Sequence, residues 1–151
     1  MRRDWNPDLG LGILRVVLAV IYISHGAPKL LGGVGSLART LTGAGFPVAT
    51  AWAWLVTLLE FFGGLLLLVG LLVTPIALLF CVEMILGILI VHAANGWYVI
   101  GPGSGGVEFN VLLIASLLTL VFAGPGAAAL DRYRGREERV VEAPAESGLA
   151  E

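Results

Sequence analysis

Seven ionisable side chains and one amide interrupt otherwise apolar stretches of this chain: Arg15, His25, Lys29, Glu60, Glu83, His92, Glu108 and Asn110. A charge at the centre of a membrane helix costs about 2.5 to 3.5 kcal/mol, and each Leu or Val returns only about 0.3 to 0.6 kcal/mol. Such residues need partners, and together they offer hydrogen-bond donors, acceptors and proton carriers to a polar-headed lipophilic molecule. Two carboxylates at one depth in a low dielectric cannot both ionise cheaply, so at least one of Glu60 and Glu83 is expected to be protonated unless Arg15 or Lys29 reaches it.

The elements that carry these residues follow from composition. Of 151 residues, 58% are hydrophobic and 13% charged, a balance that marks a chain solvated mainly by lipid rather than water. A bilayer core about 30 Å thick needs roughly 20 apolar residues per helix. Four such segments are visible, at about 9–31, 48–69, 73–94 and 107–123. The reading is an all-α membrane protein: one four-helix transmembrane bundle over 1–130, followed by a charged, disordered tail over 131–151. The first apolar stretch is too long for a signal-peptide core and is read as a mature helix. The connection between the second and third spans is so short that these helices must be antiparallel neighbours. Between the first two spans, Ser36 to Leu41 reads as a short amphipathic segment at the membrane surface. Trp52 and Trp54 read as headgroup anchors.

Orientation rests on Lys and Arg. Arg2 and Arg3 precede the first span, and Arg132, Arg134, Arg136 and Arg139 follow the fourth, against Lys29 and Arg39 between spans one and two. Both termini are therefore expected to be cytoplasmic. Counting from the outer span ends at about 1.5 Å per residue sorts the polar groups into two layers. His25, Lys29, His92, Asn95 and Glu108 fall within roughly 10 Å of the outer boundary, and Glu60 and Glu83 about 16 to 18 Å in, with Arg15 deeper still. Arg15, Tyr22 and Lys29 recur every seven residues, so they share one inward stripe with Gly26 beside it. Glu83 and His92 are nine apart, and both can face inward only if the third span bends or ends near Ile90.

Other features carry little chemistry. Cys81 is the single cysteine, which excludes an internal disulfide and reads as packing. Gly101 to Gly106 fits G-x-G-x-x-G, but no strand precedes it and Pro102 interrupts it, so a dinucleotide site is not expected. Gly63, Gly64 and Gly87 read as positions of close helix approach. His25 and His92 have the chemistry to ligate haem or a metal, but hydrogen bonding near the interface is the simpler role, and no metal site is expected. A net charge of −2 argues against nucleic acid as a partner.

In their order and spacing, several short pieces resemble the DoxX family of small four-helix membrane proteins over about 9–131. They are Leu14-Arg15, His25-Gly26-Ala27-Pro28-Lys29-Leu30, Leu59-Glu60-Phe61-Phe62-Gly63-Gly64, His92 with Asn95-Gly96, and Gly106-Val107-Glu108-Phe109. The resemblance implies association with quinone-linked oxidoreductases, including a thiosulfate:quinone oxidoreductase, and with membrane complexes that handle oxidative or thiol stress. It places the family's recurrent polar positions on Arg15, His25, Lys29, Glu60, His92 and Glu108; Val107 stands where an aromatic residue is frequent.

The expectation is thus a membrane subunit of an oxidoreductase system in a bacterial inner membrane, without a covalently bound cofactor, that interacts with quinone near the outer leaflet. His25, Lys29, His92 and Glu108 would bind the headgroup, while Arg15, Glu60 and Glu83 form a buried polar core, and no residue is identified as catalytic. Electrons would come from a soluble or membrane oxidoreductase partner, and self-association is left open. The alternative is a non-enzymatic scaffold or small-solute transporter whose buried charges are structural.

Overall fold

The computed structural model describes residues 6–100 and 105–133, and these form helices and connecting loops with no strand. The sequence-predicted tail beyond 133 and most of the G-x-G-x-x-G segment lie outside the described residues. Helix α1 runs Pro7–Gly32, α2 Gly35–Gly43, α3 Ala49–Val69, α4 Val73–Asn95 and α5 Glu108–Ala123. Helices α1, α3 and α4 are long and apolar enough to cross a membrane. The 16 residues of α5 reach only about 24 Å. The start of α1 and the segment after α5 meet through Asp8 and Arg132, which defines the terminal end of the bundle, opposite the loop end.

Local chemistry starts α1. Asn6 caps it by accepting from the Leu9 N–H, Pro7 occupies its first turn and Asp8 faces its positive end. The α3–α4 turn is tighter, with Gly70 and Leu72 both left-handed, a conformation strained for leucine. It is held from outside: the Asp131 carboxylate accepts the Leu72 and Val73 N–H groups at 2.9 and 2.8 Å and so caps α4 in trans.

Glycine sets how the helices sit. A Cβ on Gly26 would lie 2.6 Å from the Phe61 nitrogen, and one on Gly64 would lie 2.8 Å from the Ile23 side chain, so α1 and α3 touch backbone to backbone there. These two pairs define one antiparallel register. Continued along the helices it sets Lys29 level with Leu58, Arg15 level with Leu72, and Gly32 level with Leu55. Helix α3 therefore overhangs α1 at the loop end by about six residues, roughly 9 Å. Helix α2 fills that step, with Ala38 and Leu41 packed against Ala49 and Ala53. The amphipathic segment foreseen at Ser36 to Leu41 is thus a helix docked on the bundle.

The core beneath is continuous. Leu18, Tyr22, Leu67, Phe80, Leu113, Leu117 and Leu120 are buried together, and Tyr22 stacks on Phe80 at 3.5 Å between ring centroids. Gly63 makes room for the Phe80 ring, which puts Glu60 level with Glu83 across the α3–α4 pair.

Candidate functional site: a mid-membrane charge cluster

Two turns widen to π-helix among the polar residues, and α4 then tightens to a 3-10 turn over Ala93–Asn95. Leu59–Gly63 in α3 and Ile88–His92 in α4 are π-helical, a form frequent at functional sites. At 100° per residue, nine positions place Glu83 and His92 on opposite sides of a regular helix; the i→i+5 pattern absorbs one residue, which brings the two within about 80° of each other. The change of phase that their spacing demanded is therefore present, as a π turn. The sequence signals the need for it but not its form, and gives no hint of the turn that carries Glu60.

The first of these turns presents Glu60 to α1. Lys29 donates to both oxygens of the Glu60 carboxylate at 2.5 Å. Glu60 is 5% exposed, whereas the Lys29 side chain remains 29% exposed, so the pair reaches the surface through lysine. Glu83 lies level with Glu60 across the α3–α4 pair, where Phe80 packs on Gly63. Its Oε2 is buried with no protein partner among the described residues, and so is the hydroxyl of Tyr22, a residue 2% exposed. An unpaired buried polar atom costs about 1 to 3 kcal/mol, and these two, with Arg15 Nε elsewhere in the bundle, are the three such side-chain atoms among the described residues.

This arrangement corrects the two-layer picture. Lys29 belongs with Glu60 and Glu83, because counting depth from span ends treats those ends as coplanar and α1 is in fact displaced toward the terminal end. The same displacement removes Arg15 from the carboxylate pair. Arg15, 2% exposed, donates to the carbonyls of Pro125 at 2.5 Å and Ala128 at 3.3 Å. It sits against Gly70, with Asp131 as its nearby charge. Around it, Asp131 caps α4, the Ala127 N–H donates to the Asp8 carbonyl at 2.7 Å, and Arg132 pairs with the Asp8 carboxylate at 2.7 Å. Here buried charge is a fastening between the segment after α5, the start of α1 and the α3–α4 turn. Asp131 and Arg132 thus belong to the bundle rather than to the tail. Nothing in their sequence neighbourhood distinguishes them from the charges that follow.

The remaining predicted site residues do not join the cluster. His25 is exposed on α1 one turn before Lys29. His92 donates from Nδ1 to the Gly105 carbonyl at 2.6 Å, and Glu108 accepts the Val99 N–H at 2.8 Å. Both fix the α4–α5 loop, whose Gly96 to Val99 backbone pairs with Gly105 to Glu108. An open recess of about 410 Å³ lies beside it, lined by Val99, Ile100, Glu108, Phe109 and Leu112. Asn110 is buried in α5 and makes a long contact of 3.5 Å with the Met84 sulfur.

The fold and this charged interior define a small polytopic membrane protein of four helices. The chain belongs to the DoxX family, whose model matches residues 10–93. It is 31% identical over 80% of its length to an uncharacterised protein of Haemophilus influenzae, covering 87% of that protein. It is 28% identical over 83% of its length to a Bacillus subtilis protein named "Putative oxidoreductase CatD", covering 87% of it. To an Escherichia coli protein named "Inner membrane protein YphA" it is 29% identical over 80% of its length, covering 86% of that chain. No solved structure matches it at a significant level.

Proposed function

We propose that this chain is a membrane-embedded subunit of an oxidoreductase system in a bacterial inner membrane, and that it binds a quinone headgroup at the Lys29, Glu60, Glu83 and Tyr22 cluster. The observation that carries this reading is the pair of unpartnered buried atoms, Tyr22 Oη and Glu83 Oε2, beside a buried ion pair. A quinone ring offers two carbonyl oxygens that accept hydrogen bonds, and its reduced form offers two hydroxyls that donate. Lys29 and Tyr22 supply donors, and the two carboxyl groups supply acceptors. Partial exposure of Lys29 gives the headgroup an approach, with His25 on the same face one turn away. The electrons come from a partner that carries the redox centre; the relative named as an oxidoreductase supports that class of system.

The test is titration of decylubiquinone into the protein in lipid nanodiscs, followed by tryptophan fluorescence. Saturable binding is expected, weakened about tenfold or more in the double variant Lys29→Met/Glu60→Gln. That variant removes both charges at once and so leaves no unpaired buried ion. Equal affinity of the double variant and the parent protein would sink the assignment.

A further inference from the structure

We propose that α2 is a hinged lid over the loop-end approach to the Lys29–Glu60 pair. On α3 the buried residues Ala49, Ala53, Thr57 and Glu60 recur every three or four positions, so they form one inward stripe. Ala38 and Leu41 of α2 cover the loop end of that stripe. Glu60, bound to Lys29, closes it about two turns further in than Ala53. Lifting α2 therefore opens a path along α3, past Thr57, to the ion pair.

Little holds α2 down. Its side-chain hydrogen bonds stay inside the helix, from Thr40 to the Ser36 carbonyl and from Thr42 to the Ala38 carbonyl. Among the described residues no hydrogen bond joins it to α1, α3 or α4. What docks it is a small apolar cluster, Val34, Ala38, Leu41, Ala49 and Ala53, separate from the main core. Alanine fills most of that cluster, so little apolar area is given up on undocking. Both ends of α2 can turn. Gly33 and Gly45 are left-handed, with φ of 93° and 82°, where glycine alone turns without steric cost. Gly32 and Gly43 have ordinary φ, and a Cβ on either would meet nothing within 4 Å. Neither space nor φ asks for glycine at those two positions; what it supplies is freedom to bend. The first hinge bears directly on the site, because the Gly33 N–H donates to the Lys29 carbonyl at 2.9 Å. The motion of α2 stands on these observations alone; its use as the entry for a headgroup rests on the quinone reading above.

Ala53→Cys puts a thiol under α2 at a fully buried position. Labelling of the full chain in nanodiscs with N-ethylmaleimide, mapped by mass spectrometry to separate this thiol from Cys81, reads the opening. Labelling is expected in the folded protein and should slow about tenfold when Gly32→Ala and Gly43→Ala stiffen both hinges. Ala38→Cys, on the underside of α2, is the second probe should Ala53→Cys not fold. No labelling where denatured protein labels fully, or a rate indifferent to the two alanines, overturns the lid. Decylubiquinone should bind the stiffened protein with a slower association rate and unchanged affinity. An unchanged association rate beside slowed labelling overturns the entry route and leaves the hinged helix standing. Absence of quinone binding to the parent protein overturns the reading above and not the lid.

Discussion

Buried charge occurs twice in this bundle, and the two instances differ in the kind of partner that meets them, although each leaves buried polar atoms unpartnered among the described residues: Arg15 Nε at the terminal end, Tyr22 Oη and Glu83 Oε2 at the other. At the terminal end Arg15 meets backbone carbonyls, while Asp131 meets backbone N–H groups. Backbone partners cannot leave, so charge used this way fixes three segments together. In the middle of the bundle the partners are two side chains, Lys29 and Glu60, and the Tyr22 hydroxyl and Glu83 Oε2 are left over. Side chains can change partners, and atoms left over can take new ones. Depth alone does not separate structural from functional charge; the kind of partner does.

Substitutions that act on one region and spare the other break or sharpen this contrast. The largest effect is expected from Arg15→Ala, which leaves two carbonyls without their donor and opens space against Gly70. It should cost about 3 kcal/mol in denaturant unfolding in detergent, while the folded fraction binds decylubiquinone as the parent does. A lost affinity equal to that of the cluster variants would erase the distinction between the two regions. Asp131→Ala uncaps α4 and should cost about 1 to 2 kcal/mol, again with binding retained. The smallest change in stability is expected from Tyr22→Phe. Its hydroxyl is buried without a protein partner, so removing it should leave the melting temperature equal or slightly raised while quinone affinity falls. A marked loss of stability in Tyr22→Phe would mean that the hydroxyl holds the fold together after all.

Much of the architecture was legible in the sequence because lipid leaves helices few alternatives. The four helices fall within about two residues of the boundaries read from apolar run length, and the stripe of Arg15, Tyr22 and Lys29 faces inward as its seven-residue spacing requires. Relations between helices were harder to read. The register of α1 on α3 depends on Gly26 and Gly64 meeting particular neighbours, and residue counts within a single helix carry no such information. For that reason residue counts separate Lys29 from Glu60, its partner, and group Arg15 with carboxylates, where the structure gives it backbone carbonyls. The capping of α4 by Asp131, 58 residues from Val73, is equally invisible in local sequence. His92 and Glu108 were recognised as noteworthy, but the structure gives their hydrogen bonds to the α4–α5 loop.

The π turn at Leu59–Gly63 has a consequence for how such a protein can vary. A π turn is one residue more than a regular helix needs, so loss of a single codon there, Phe62 for instance, would leave a continuous α-helix of the same hydrophobic length. The bilayer would accept it. Everything beyond the deletion would rotate by about 100°, swinging Gly64 away from Ile23 while Glu60 kept its place. Length variation at this point therefore improves the helix as a helix and removes the α1–α3 contact beside the Lys29–Glu60 pair, so the irregular turn is a feature to look for wherever a chain of this kind keeps that pair.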